Sequence, residues 1–262
     1  MDQTIEQQLR VLKLPGFLTA LKEQQEMPHS YTDLPFEQRL KFLIDKEHLL
    51  RHNNRMTRMQ KEAALKINNA SLEDLDYTNP RRRLGIQKEA LLELAQGHWI
   101  KNASNIIITG PTGAGKTFIG CALGNQFLRL DISVRYYRAS TLIQTLLMAQ
   151  ADGSLPRVLK KLSATYRLLI IDEWLRDSCC SDVHARLLLD LLDDKYKATA
   201  TILISQFPVD SWYQKFADPT LAEAILDRII HNAYRIPIEG DSMRKINPDF
   251  NAISNTASLR SE

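Results

Sequence analysis

Apolar residues in the first third of the chain recur every three or four positions. Beyond residue 84 they gather into short unbroken runs separated by helical stretches. Ile5, Leu9 and Leu12 mark a first short helix, Pro15-Gly16 interrupts it, and Phe17, Leu18 and Leu21 begin a second. After Pro35, the stripe Phe36, Leu40, Leu43, Ile44, Leu50, Met56, Met59 and Ala63 predicts one long helix over about 36–66. The segment 68–83 reads as a connection with a boundary near Asn79-Pro80. Later β-branched runs at Asn105-Ile108, Ile132-Tyr136, Leu168-Ile171, Thr201-Ile204 and Tyr234-Ile238 alternate with helical patterns. That alternation predicts an α/β fold, a parallel sheet with helices on both faces. The division is therefore an all-helical region 1–80, an α/β domain 81–246, and a mobile tail 247–262 with few large apolar residues.

Composition narrows this picture only slightly. With 44% apolar and 25% charged residues the chain reads as globular, and a net charge of +3 selects no partner by itself. No apolar run approaches the ~20 residues that a bilayer-spanning helix needs. The amino-terminal MDQTIEQQLR lacks the basic-then-apolar order of a secretory signal, so a cytosolic protein without a membrane partner is expected. Cys121, Cys179 and Cys180 show no metal or disulfide spacing, and they read as free thiols. His48 and His52 lie one helical turn apart without further evident ligands, so no metal is expected there.

The chemistry is concentrated in NIIITGPTGAGKT, which runs strand, glycine loop, helix. Gly110, Pro111, Thr112, Gly113, Ala114, Gly115, Lys116 and Thr117 complete the pattern G-x-x-x-x-G-K-T, with Phe118 following on the helix. Glycines let backbone N–H groups fold around phosphate oxygens while the helix directs its positive end at them. Lys116 then reaches the β- and γ-phosphates of ATP, and the Thr117 hydroxyl ligates Mg²⁺. A second element follows about 55 residues later, where the run Leu168-Leu169-Ile170-Ile171 ends in Asp172-Glu173. Asp172 stands where strand ends meet ligands in such sheets, suited to hold Mg²⁺, and Glu173 is suited to orient and deprotonate the attacking water. The Thr201-Ile204 run ends in Ser205-Gln206, either of which would meet the γ-phosphate or that water. Arg228 lies one residue off the apolar face Leu221, Ile225, Ile229 and Ile230; by position alone it is a solvated helix charge or a catalytic arginine.

Several stretches together resemble the IstB-like transposition helper ATPases, a DnaC-related clade of the P-loop AAA+ superfamily. They are GHWIKNASNIIITGPTGAGKTFIGCALG, VRYYRAS, ADGSLPRVLKKL, LLIIDEW, ISQFPVDSWY and DPTLAEAILDRIIHNAYRIPIEGDSMRK, within a similarity spanning roughly residues 5–245. The resemblance implies a three-layer AAA+ domain behind a helical amino-terminal domain. It implies Ser205 as a sensor of the bound nucleotide, Arg228 as an arginine inserted into a neighbouring subunit's site, and Arg244 as a second phosphate sensor. It further implies a homo-oligomer formed through the ATPase domain on duplex DNA, DNA-stimulated ATP hydrolysis that resets the assembly, and a partner transposase. Glu173 stands where many members have a second Asp, and Leu175 where they tend to have glycine.

Residues 1–80 hold eleven basic and twelve acidic side chains, so the helical region is not basic overall. Within 51–66, however, Arg51, Arg55, Arg58, Lys61 and Lys66 are opposed only by Glu62, and the three arginines share a helix face. Such a stripe is either a solvated face or a set of DNA phosphate contacts, which would carry weak sequence preference. Arg81-Arg82-Arg83 forms a second cluster. Two other readings compete, a DnaC-type replicative helicase loader and a P-loop small-molecule kinase.

Overall fold

The computed structural model describes residues 3–75, 77, 82–84, 87–176 and 180–240. Arg81, Arg244, Cys179 and the expected tail 247–262 lie outside the described residues. The chain forms two compact units, residues 1–59 and 60–262, so the division falls inside a helix, earlier than the expected boundary near residue 80.

The first unit is helical, as its periodicity predicts: α1 (Gln3–Val11), α2 (Pro15–Glu26), a 3₁₀ turn over Pro28–Ser30, and the greater part of α3 (Phe36–Ala63). Pro15 occupies the first turn of α2, where its missing N–H is not needed. Gly16 permits a close helix approach, since a Cβ there would lie 2.8 Å from the Glu47 Cα of α3. Glu47 is buried and caps α2, accepting from the N–H groups of Gly16 at 2.7 Å and Phe17 at 3.1 Å. Its other oxygen accepts from Arg51 Nε at 2.6 Å. Helix α3 ends at Ala63, a few residues before the expected end, because Ala64 turns left-handed (φ 50°).

The second unit has a sheet built, among the described residues, from β1 (Arg82–Leu84), β2 (Asn105–Thr109), β3 (Val134–Arg138), β4 (Leu168–Asp172), β5 (Ala200–Ser205) and β6 (Ala233–Gly240). Its order is β1-β6-β2-β5-β4-β3. Strands β6, β2, β5, β4 and β3 are mutually parallel, and β1 adds an antiparallel edge through Arg83↔Glu239 and Leu84↔Ile238. That edge strand was expected as part of a connection. Between the strands run α4 (Lys88–Leu94), α5 (His98–Lys101), α6 (Lys116–Arg129), α7 (Ala139–Ala151), α8 (Leu155–Lys160), α9 (Asp182–Lys195) and α10 (Pro219–Ile230).

Period-two alternation assigns the layers. Ile107, Leu169, Ile171 and Leu203 point into a core shared with Leu142 and Leu146 of α7, Leu188 and Leu191 of α9, and Ile225 and Ile229 of α10. Ile170 and Ile204 point to the other face, against Gly120 and Gly124 of α6. Every residue of β4 and β5 is buried, as strands covered on both faces should be. The three-layer parallel architecture is therefore the one that the hydrophobic pattern predicts. The segment after α3, which the sequence suggested was a plain connection, is fastened to α6. Asn125 Nδ2 donates to the carbonyls of Asn68 at 3.1 Å and Ala70 at 2.8 Å, and Leu65, Leu72 and Leu75 are buried.

Candidate nucleotide site

Parallel strands bring their carboxyl ends to one edge, and β2, β4 and β5 deliver the candidate groups there. The loop from Gly110 to Gly115 connects β2 to α6, a helix of 14 residues starting at Lys116. Gly113 and Gly115 adopt φ 84° and 88°, left-handed conformations that glycine takes at little steric cost. Gly110 (φ 147°) is constrained by packing as well, since a Cβ there would stand 2.3 Å from the Ile238 carbonyl oxygen of β6.

Lys116 Nζ donates to the carbonyls of Gly110 at 2.7 Å and Pro111 at 2.8 Å, so its ammonium lies across the loop. Burial draws its pKa below the usual lysine value, and the nearby Asp172 charge opposes that shift. Thr117 Oγ1 donates to Asp172 Oδ2 at 2.8 Å. A hydroxyl beside a buried carboxylate, at the amino end of a helix flanked by a lysine, fits a nucleoside triphosphate with its divalent cation. Phe118 is half-buried one residue further along α6.

The Asp172 carboxylate has further donors. Tyr136 Oη, from the adjacent strand β3, donates to Oδ2 at 2.7 Å, and the Glu173 N–H donates to Oδ1 at 2.8 Å. Burial pushes the Tyr136 phenol far above its usual range, and the Asp172 charge adds to it, so the hydroxyl remains a donor. The sequence reading missed Tyr136. The available signal was its place at the end of the expected Ile132-Tyr136 run.

Glu173 leaves β4 with φ 59°, and Leu175 follows with φ 53°. A glycine at the second position would take that conformation without strain. The turn is clamped to β5: the Trp174 N–H donates to the Ile204 carbonyl at 2.8 Å, and Ser205 Oγ donates to the Trp174 carbonyl at 2.9 Å. Ser205 is fully buried and also accepts from the Phe207 N–H at 3.2 Å. Ser205 thereby braces the acid's turn. The polar group at this strand end that reaches the loop is Gln206, whose Oε1 accepts from Thr112 Oγ1 at 2.8 Å.

Arg228 lies near the end of α10, where its Nε pairs with Asp193 of α9 and its Nη1 donates to the Ala224 carbonyl at 2.6 Å. Of the basic stripe on α3, Arg51, Arg55, Arg58 and Lys61 are all exposed. Arg51 also serves the fold of the first unit, donating to Glu47 and to the Lys13 carbonyl at 2.9 Å. No helix among the described residues is long and apolar enough to cross a membrane.

Comparison with known proteins gives the family. The family model for the IstB-like ATP-binding protein matches residues 7–249. An insertion-sequence ATP-binding protein of Sinorhizobium fredii is 36% identical over 246 residues, covering 92% of this chain and 93% of its own. One from Pseudomonas fluorescens is 40% identical over 212 residues, covering 79% of this chain and 87% of its own. Among solved structures, DnaI aligns with a TM-score of 0.54 at 20% identity, covering 65% of this chain and 91% of its own. The DnaC helicase loader aligns with a TM-score of 0.54 at 17% identity, covering 65% of this chain and 97% of its own. At such identities the structural matches speak for the fold alone. The glycine loop, the Thr117–Asp172 contact and the sequence matches together make this chain a member of the family of IstB-like ATP-binding proteins, built on the P-loop AAA+ fold.

Proposed function

We propose that the protein is an ATP-hydrolysing helper of transposition, which oligomerises on duplex DNA with weak sequence preference and engages a partner transposase. The observation that carries this reading is the Thr117–Asp172 contact at the foot of the glycine loop, a donor pair matched to Mg²⁺ beside a phosphate cradle. Membership in a family whose relatives are insertion-sequence ATP-binding proteins supplies the context.

Lys116 and the loop N–H groups would hold the β- and γ-phosphates, and Thr117 and Asp172 would hold Mg²⁺, which when bound would neutralise charge on those phosphates. Glu173 orients a water and takes its proton as the oxygen attacks the γ-phosphorus. The bond to the β-phosphate oxygen breaks, leaving ADP and phosphate. Gln206, through Thr112, is placed to report on the occupied loop. Arg228 completes the site of the adjacent subunit, an arrangement able to speed phosphoryl transfer by roughly 10³–10⁵. DNA phosphates are met by Arg55, Arg58 and Lys61, with Arg51 contributing from a position partly committed to Glu47.

The test is phosphate release without any acceptor, with and without duplex DNA, alongside sizing with an ATP analogue. Hydrolysis that rises with DNA and an ATP-dependent larger species are expected. Turnover that requires a small-molecule acceptor and ignores DNA would return the chain to the kinase reading. Arg228→Ala subunits mixed with Glu173→Gln subunits should recover activity, and failure at every ratio removes action between subunits. Charge reversal at Arg55 and Arg58 should weaken DNA binding and flatten its dependence on salt; an unchanged slope makes the stripe plain solvation.

A further inference from the structure

The carboxylate of Glu173 is faced by two cations. Arg176 Nη1 donates to Oε2 at 2.9 Å, and Lys66 Nζ stands 3.9 Å from Oε1. Arg176 comes from the same turn, whereas Lys66 comes from the stretch that follows α3. That stretch has a fixed position. Arg135 Nη1 donates to the Glu62 carbonyl at 2.6 Å, Asn125 holds the carbonyls of Asn68 and Ala70, and Ala63 and Leu65 are buried. The root of Glu173 is equally fixed, its own N–H bound to Asp172 and the next N–H bound to Ile204. A carboxylate that accepts from a guanidinium on one oxygen and faces an ammonium on the other directs its lone pairs at cations rather than at a water.

We propose that Lys66 and Arg176 are positioning residues that restrain the Glu173 carboxylate, so that the segment after α3 sets how readily the acid engages the attacking water. This rests on the reading of Glu173 as the water-orienting group. Both pairs are partly exposed, which bounds their effect. Such pairs are worth about 0.2–1 kcal/mol, equivalent to a change of up to about fivefold in rate. A pair that merely decorates the surface would leave turnover where it is.

The experiment is steady-state ATP hydrolysis by the full chain, read as kcat and KM separately, with thermal melting alongside. The variants are Arg176→Ala, Lys66→Ala, Lys66→Arg, Arg176→Lys, Glu173→Gln and the double variant Arg176→Ala/Glu173→Gln. Expected are a kcat about two- to fivefold above the parent in each alanine variant with KM for ATP unchanged, near-parental kcat in the Lys66→Arg and Arg176→Lys variants, and loss of the gain in the double variant. Equal or lower kcat in both alanine variants, from a parent that hydrolyses ATP, overturns the proposal while leaving the function above intact. Parental turnover in Glu173→Gln, or no turnover in any protein, instead removes the catalytic reading of Glu173 and this inference with it. Should one alanine variant melt early, the other decides.

Discussion

Among the described residues two carboxylates are nearly sealed from water, Asp172 in the second unit at 2% exposure and Glu47 in the first at 7%, and different groups satisfy them. Glu47 is met by two backbone N–H groups and the Arg51 guanidinium, so its charge is compensated within the fold. Burial alone would raise its pKa, but Arg51 and the N–H groups of Phe17 and Gly16 outweigh burial and lower it. Asp172 accepts from two neutral hydroxyls and a peptide N–H, while the nearby Lys116 ammonium donates to the Gly110 and Pro111 carbonyls. A buried anion oriented by neutral donors is prepared for a cation that arrives with a ligand, whereas a buried anion paired with arginine is a structural fastening.

Substitutions that exchange the two outcomes would break the contrast. Asp172→Asn should lower ATP turnover by on the order of 10³ by removing the metal's anionic partner, with little change in melting temperature. Hydrolysis near the parental rate would show that the anion is not catalytic. Tyr136→Phe, which deletes only an outer hydroxyl, should weaken Mg²⁺ dependence of hydrolysis by about 10- to 100-fold. A Mg²⁺ titration superimposable on the parent would sever Tyr136 from the site. Glu47→Gln should do the reverse of Asp172→Asn, leaving ATP binding intact and destabilising the helical unit by about 1–2 kcal/mol at neutral pH. Because the folded pKa of Glu47 is lowered, its contribution is present above the unfolded carboxylate pKa and is lost as pH falls through the folded value. Denaturant melts at pH 7 and at low pH should therefore converge between parent and variant as pH falls, and a constant gap would contradict the assignment.

Lys195 gives the smallest and sharpest case. It is buried at the end of α9, donating to Thr199 Oγ1 at 2.7 Å, and burial lowers its pKa to about 7. The unfolded chain binds the proton more tightly, so stability from this group rises between about pH 7 and the unfolded lysine pKa near 10.4. Relative to Lys195→Met, the parent should gain about 1 kcal/mol between pH 7 and 8. Parallel stability profiles would mean that this lysine titrates like a solvated one.

Legibility in the sequence follows the same physics. Strands buried on both faces must be runs of apolar β-branched residues, which is why β2, β4 and β5 and the acid ending β4 could be read directly. The glycine loop was equally plain, because backbone that wraps phosphate tolerates few substitutes. Glu47 was invisible, since an acid in a helical pattern looks solvated until the helix that it caps is known. Strand β1, read from Arg82, Arg83 and Leu84, has no apolar signature and is defined by its pairing to β6. Ser205 and Gln206 were correctly placed at a strand end, but which of them faces the loop depends on the clamp to Trp174, a tertiary fact.

That clamp has a mechanical meaning. Thr112 touches Gln206, the neighbouring Ser205 holds the carbonyl of Trp174, and the residue before Trp174 is Glu173. Under the proposed function, gripping and cutting parts would be geared through a single strand tip, and a displacement of the loop hydroxyl by an incoming triphosphate would bear on the root of the acid. A linkage this short needs no distant messenger to tell the blade that the jaws have closed.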